Sequence, residues 1–366
     1  MKIAVLAESG KHYLPSARVR ILAALLMELT RVSQSLRIFW AGRQPAVAGW
    51  ADLKQIRHAD PLLFDRSNSI KRWQNGQQVK RLIQAFGPDI VLVVNEHLVN
   101  EINSKQVIWV HDETEWLSVF SGNEKLSKRW QNVSGLIFSQ INQAEKWRRL
   151  IPKLAPAIYA TGSFYLAAFR PSDWMTRVSW KTRNTRDNDY FLFYGSGHTD
   201  EVIMPLLKAF SRFKKRQQSS LQLVICLRGL SGGSWREKLK TFKYRQEVLV
   251  ESPRFADLPE WLGSAYCVVS PAADAKDWWL LATAQSFVPI ITERNETVEE
   301  VLGKEVPYFA DWNEEDLAEQ LIAVYTQETT RNKKTETAQK VVGEATVEEA
   351  AKNLKTILKN IKNKKI

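Results

Sequence analysis

Residue types able to hold an anion or a hydroxyl gather just behind short apolar runs. Tyr190-Phe-Leu-Phe-Tyr194 is followed by Gly195-Ser-Gly197, whose amides, with the Ser196 hydroxyl, can form a phosphate-binding nest. Leu221-Gln-Leu-Val-Ile-Cys-Leu227 ends in Arg228, a cation for the same kind of ligand or simply a surface residue. Tyr266-Cys-Val-Val-Ser-Pro271 leads into Asp277 and the pair Trp278-Trp279. An indole there can stack on a planar ring, and at least one of the two is expected to serve the core. Gln106-Val-Ile-Trp-Val110 runs into His111-Asp112. An imidazole beside a carboxylate can bond a hydroxyl with its tautomer fixed; a polar strand-end cap is the plainer role. At the amino end, Ile3–Ala7 opens a loop with Ser9 and Gly10, and Arg18 and Arg20 follow in the first turns of a helix. Arginines beside a helix amino terminus can hold a phosphate, or form an ordinary solvated pair.

Such residues need a scaffold that brings strand ends together. Apolar runs of strand length alternate with amphipathic segments along the whole chain, which predicts α/β units on parallel sheets. The ligand of such a sheet sits at the carboxyl ends of its strands. Strands are expected at 2–6, 36–40, 88–94, 106–110 and 133–138, and helices at 16–29, 71–86, 123–132 and 141–150. Gly87-Pro88 terminates the second helix. Ser172–Asn188 is polar and reads as a linker. Thr346 and Glu349 form a capping box ahead of a last helix, whose apolar stripe runs Val347, Ala350, Ala351, Leu354, Ile357, Leu358 and Ile361. Six lysines and no acid follow Glu349.

Composition fits a globular protein long enough for two domains: 44% apolar, 25% charged. The longest apolar runs fall far short of the about 20 residues a bilayer span requires. Cys226 and Cys267 lie inside apolar runs, which points to buried thiols in a reducing compartment. The cytoplasm is the expected location. Of the formal charge of +12, residues 1–180 carry +10, from 24 basic and 14 acidic residues. That asymmetry suggests an anionic partner or merely a basic surface. Trp stands beside cations at Lys71-Arg-Trp-Gln-Asn75, Lys128-Arg-Trp-Gln-Asn132 and Lys146-Trp-Arg-Arg149. Such clusters suit a bilayer interface, a nucleic acid or plain core packing.

The order of these pieces resembles the GT-B fold glycosyltransferases of the large retaining family 4, over nearly the whole chain. The resemblance rests on Pro88-Asp-Ile-Val91, on His111-Asp112 at a strand end, on the segment from Ala157 to Pro171 with Gly162 and Phe169-Arg-Pro171, and on Val288-Pro-Ile-Ile291. It implies two Rossmann-like doubly wound domains facing a cleft. Residues 1–172 would be the acceptor domain, 173–189 a linker, 190–345 the nucleotide-sugar-binding domain, and 346–366 a basic amphipathic helix crossing back onto the first domain. It also implies roles. His111 and Asp112 would face the sugar or acceptor. Asp274 falls on the first Glu of the family's E-G-F-G-L-P-x-x-E motif, with Asp277 as its substitute under a shifted register. Gly195, Ser196, Gly197, Arg228 and Trp278 would line the donor site. Ser9, Gly10 and Arg18 would form an acceptor or phosphate loop.

The sequence departs from that pattern at two points. Glu201 stands where the family places a phosphate-binding Lys, and Ala282 falls on the second Glu. The expected function is transfer of a sugar from a nucleotide-sugar to a saccharide or lipid-linked acceptor, with no metal or cofactor. The setting would be cell-surface polysaccharide or glycolipid synthesis at the inner face of a membrane, with an anionic membrane surface as a further partner and nucleic acid not expected. The alternative is a GT-B protein that binds sugar, membrane or a partner without turnover.

Overall fold

The computed structural model describes residues 1–8, 17–33, 35–41, 50, 52–59, 69–94, 104–110, 133–150, 157–196, 199–228, 234–271, 277–343 and 345–364. The chain divides into two compact units, Met1–Gly162 with Val347–Ile366, and Ser163–Thr346. In the first unit the order is β1 (Ile3–Glu8), α1 (Ala17–Val32), β2 (Leu36–Ala41), β3 (Ile56–Ala59), α2 (Ser69–Phe86), β4 (Ile90–Val93), β5 (Lys105–Val110), β6 (Val133–Phe138), α3 (Ile141–Leu150) and β7 (Ala157–Ala160). The second unit continues with α4 (Trp174–Thr185), β8 (Tyr190–Ser196), α5 (Asp200–Gln217), β9 (Gln222–Arg228), α6 (Trp235–Lys240), β10 (Val248–Glu251), α7 (Leu258–Gly263), β11 (Cys267–Ser270), α8 (Asp277–Gln285), β12 (Ile290–Thr292), α9 (Glu296–Leu302), β13 (Tyr308–Phe309), α10 (Glu314–Thr326) and α11 (Glu328–Val342). The chain then returns to the first unit with α12 (Val347–Asn363).

Both sheets are parallel. The first has the order β3-β2-β1-β4-β5-β6-β7, the second β10-β9-β8-β11-β12-β13. A parallel sheet covered on both faces requires strands that are apolar throughout rather than alternating. Accordingly β4 and β11 are buried at every position.

Two expectations change on inspection. The residues read as a linker, 173–189, hold helix α4, and the division between units falls at Gly162/Ser163. Asp173 caps α4 by accepting the Thr176 amide at 2.9 Å and the Thr176 hydroxyl at 2.7 Å, and Trp180 anchors it edge-on against Trp261 at 5.3 Å. Gly162 at the division has φ +86°, a conformation that only glycine adopts without strain. The cation-flanked Trp147 is fully buried and packs on Phe138 at 5.5 Å, with exposed Lys146, Arg148 and Arg149 around it. At this cluster, core packing is the role of the indole. The basic helix expected over 123–132 lies outside the described residues.

The last helix is bound tightly to its unit. Ala350, Ala351, Leu354, Ile357, Leu358 and Ile361 are buried, and α12 packs on α1. Lys355 donates to the Val32 carbonyl. Lys105 donates to the carbonyls of Ile361 at 3.1 Å and Lys362 at 3.0 Å, and to that of Lys364, so a side-chain cation closes the helix's carboxyl end. Lys362 pairs with Asp89 at 3.1 Å. The lysine-rich end is thus partly consumed by internal bonds.

Candidate functional site

The second unit's topology sets where a ligand can enter. Its first strand, β8, lies between β9 and β11, so the connections leave it in opposite directions. In open α/β sheets such a reversal opens a crevice beyond the strand ends. The register shows the opening. On one side β8 stays paired to Ser196↔Arg228; on the other the pairing runs only to Phe193↔Val269. Tyr194, Gly195 and Ser196 therefore project past their last partner in β11.

Several predicted residues collect at this edge. Gly195 is buried, and Ser196 and Arg228 are register partners at the two strand ends. Asp277 opens α8 and accepts the Ser163 hydroxyl at 2.8 Å. Ser270 and Thr292 end β11 and β12 as register partners, and both are fully buried. The Ser270 hydroxyl has no hydrogen-bond partner among the described residues. The sequence signal for these two was available: each is a hydroxyl that terminates an apolar run. The Ser163–Asp277 pair joins positions 114 apart in sequence and has no local signature.

Trp278 belongs to an aromatic cluster. Its ring lies 6.2 Å from Phe169, 6.0 Å from Phe255, 6.2 Å from Tyr194 and 5.6 Å from Trp279. Only 8% of its surface is exposed, so most of the ring is committed to packing, and Trp279 is fully buried against Tyr194 at 4.5 Å. Ala282 is also fully buried within α8. No ribose-binding carboxylate stands at that position.

The amino end of α5 carries two acids. Glu201 is exposed on the first turn. Asp200 accepts the Ser234 hydroxyl, the Trp235 amide at 2.9 Å and Lys238 Nζ at 3.2 Å, tying α5 to the start of α6. Those donors, the Ser234 hydroxyl first, hold its carboxyl below the usual carboxylate range. Carboxylates stabilise a helix amino terminus but oppose a phosphate there.

Arg18 lies in the first turn of α1. His111, Asp112, Asp274, Gly197, Ser9 and Gly10 lie outside the described residues. Among the described residues no group of His, Cys, Asp and Glu is arranged to hold a metal ion, and no helix is long and apolar enough to cross a membrane. Cys226 and Cys267 are buried free thiols whose pKa values burial raises strongly.

Taken together, this edge holds the strand-end backbone of Gly195, Ser196 and Arg228 and the Asp277 carboxylate bonded to Ser163, with the Trp278 aromatic cluster in the same unit. That set suits a ligand combining oxyanions with hydroxyls.

No protein-family model matches the chain, and no curated protein matches it in sequence. Solved structures do match in fold. A glycosyltransferase from Rickettsia africae superposes with a TM-score of 0.77 at 12% identity, covering 100% of each chain. Anabaena HepE, in complex with UDP and glucose, gives 0.72 at 12% identity, covering 98% of this chain and 100% of that one. WaaG, a glycosyltransferase of lipopolysaccharide biosynthesis, gives 0.67 at 13% identity, covering 97% and 99%. With its two doubly wound parallel sheets, the chain has the GT-B fold. At these identities the likeness establishes the fold, and the chemistry rests on the residues themselves.

Proposed function

We propose that the chain is a glycosyltransferase that moves a sugar from a nucleotide-sugar donor to a saccharide or lipid-linked acceptor hydroxyl, with retention as in family 4. The observation that carries this reading is the strand-end edge of β8, where Ser196 and Arg228 are register partners, in the unit where Asp277 accepts the Ser163 hydroxyl at the start of α8. The amides of 195–197 and the Arg228 guanidinium would neutralise the departing diphosphate, the step at which charge develops. Asp277, or Asp274 ahead of it, would orient the sugar hydroxyls. His111 and Asp112 would act from the first unit on the sugar or acceptor. Ser9, Gly10 and Arg18 would serve the acceptor side. The scheme requires no resident metal or cofactor. A setting in cell-surface polysaccharide or glycolipid synthesis, at the cytoplasmic face of a membrane, fits the basic net charge of +12.

A second reading has its own support. Glu201 at the α5 terminus and buried Ala282 remove a phosphate cation and a ribose acceptor from the donor site. They favour a protein that binds sugar, membrane or partner without turnover.

Calorimetry on the full chain with UDP, GDP, ADP and their common sugars separates the two. Saturable binding, weakened at least tenfold by Arg228→Ala, is expected of a working donor site. A folded protein that binds none of these ligands would overturn the transferase reading.

A further inference from the structure

The two most exposed large apolar side chains among the described residues are neighbours on one helix. Trp174 is 66% and Met175 69% exposed, and Val178 is 39% exposed. All three lie on α4, with Trp174–Val178 at i,i+4 and Met175–Val178 at i,i+3, so they share a face. This face looks outward, as its exposure shows, while across the helix Trp180 packs on Trp261. One to two turns further on, Lys181 pairs with Asp189 and Thr185 is buried, so the exposed face is confined to the first turns. The Asp173 cap fixes the first turn, so the apolar face is preformed. Arg177, Arg183 and Arg186 stand exposed along the same helix and its end. Arg183 lies over the Trp180 ring at 5.6 Å and bonds the Ser179 carbonyl at 3.1 Å, which directs it along the helix surface.

We propose that α4 is a membrane-docking element, which inserts Trp174, Met175 and Val178 at the headgroup boundary of an anionic bilayer while Arg177 and Arg186 engage the lipid phosphates. The proposal deepens the reading of an enzyme working on lipid-linked or cell-surface acceptors and names the surface it would use. Three features select this occupant. An exposed Trp beside arginines is the residue pairing of the bilayer interface. The flanking charge is cationic, as the overall charge of +12 is, which complements an anionic leaflet. Three side chains on a single short helix also fall well short of the roughly 800 Å² per partner that a stable protein interface buries. A bilayer accepts such a small wedge when charge adds to it.

The test is co-sedimentation of the full chain with vesicles of phosphatidylcholine alone and of phosphatidylcholine with 30% phosphatidylglycerol, at low and high salt. Binding is expected to the anionic vesicles only and to weaken with salt. The triple variant W174S/M175S/V178S should lower the partition coefficient at least tenfold, and R177Q at least threefold. Both should retain the wild-type melting temperature and nucleotide binding, so a failed donor site and a failed membrane contact read out separately. A wild-type protein that ignores anionic vesicles would overturn the proposal. So would a triple variant that still binds them, which would place the contact elsewhere. So would a wild-type dimer in solution that the triple variant dissolves, which would assign the face to self-association.

Discussion

Replacing Gly135 by alanine puts a methyl group where α12 already lies. A Cβ on this β6 residue would fall 2.8 Å from Ile361 Cδ1 and 3.3 Å from the Ala157 carbonyl oxygen in β7. Carbon atoms in contact sit at about 3.5–4.0 Å, so the tip of Ile361 must recede by roughly 1 Å. Ile361 is 2% exposed in the last turn of α12 and has little room to do so. Overpacking of this kind costs about 1–3 kcal/mol, while the lost flexibility of the unfolded chain returns about 0.4–1 kcal/mol. The expected net loss is about 1–2 kcal/mol. Ile361→Val deletes the offending Cδ1 and on its own costs about 0.5–1.5 kcal/mol. In the double variant the alanine meets no Cδ1, so its added cost should fall below about 0.5 kcal/mol, a coupling of at least about 0.5 kcal/mol. Calorimetric unfolding of the four proteins measures this, with each kcal/mol worth about 2–4 °C in a unit of this size. Additive effects of the two substitutions would refute the seating of α12 on β6.

Three further outcomes are expected. Lys105→Met should release the end of α12, raising amide exchange in residues 358–364 at least tenfold while exchange in β8 and β9 stays unchanged. Asp89 has its pKa lowered, first by the Lys2 amide at 2.7 Å and then by Lys362. A folded pKa below the unfolded one gives stability that is present above the unfolded value and lost as pH falls through the folded one; Asp89→Asn should therefore lower the neutral plateau of a melting-temperature profile and converge with the wild type at the acid end, which flattens the acid limb. Cys226 and Cys267, with thiol pKa values raised by burial, should react with a thiol reagent at pH 8 at least a hundredfold more slowly in the native protein than in denaturant.

Much of the scaffold is readable in the sequence because a parallel sheet leaves a simple trace. Ile90–Val93 and Val107–Val110 have no polar interruption, since both faces of each strand are covered. The α12 stripe is equally plain, and its buried positions are those its helical spacing marks. Helix α4 was hidden by composition. Polar residues dominate 173–189, and the contact that holds the helix, Trp180 on Trp261, joins positions far apart in sequence. A local clue was present in Asp173 three residues before Thr176, the pattern of a capped helix start. The site was less legible than the fold. Arg228 and Ser196 follow from strand-end logic, and the register pairs them. Trp278 offers the same chemistry to a ligand or to a core; only packing against Phe169, Phe255 and Tyr194 shows how much of the ring is committed inward. No spacing rule anticipates Ser163 reaching Asp277, 114 positions and several strands and helices later.

The discontinuity of the first unit governs the order in which this molecule can be made. Its sheet is complete by residue 160, yet the helix that covers α1 and meets β6 is encoded at 347–363. The second unit is continuous from Ser163 to Thr346. On the ribosome, the later-encoded unit has all its parts first, while the earlier one waits with an uncovered apolar face for residues 347–363 to emerge. Synthesis of about 200 residues at roughly 5–20 per second makes that interval about 10–40 seconds. During it Leu22, Leu26 and their neighbours on α1 need either a chaperone or the patience of a slow-closing sheet, and any interruption of translation before residue 347 leaves a chain with one finished unit and one open one.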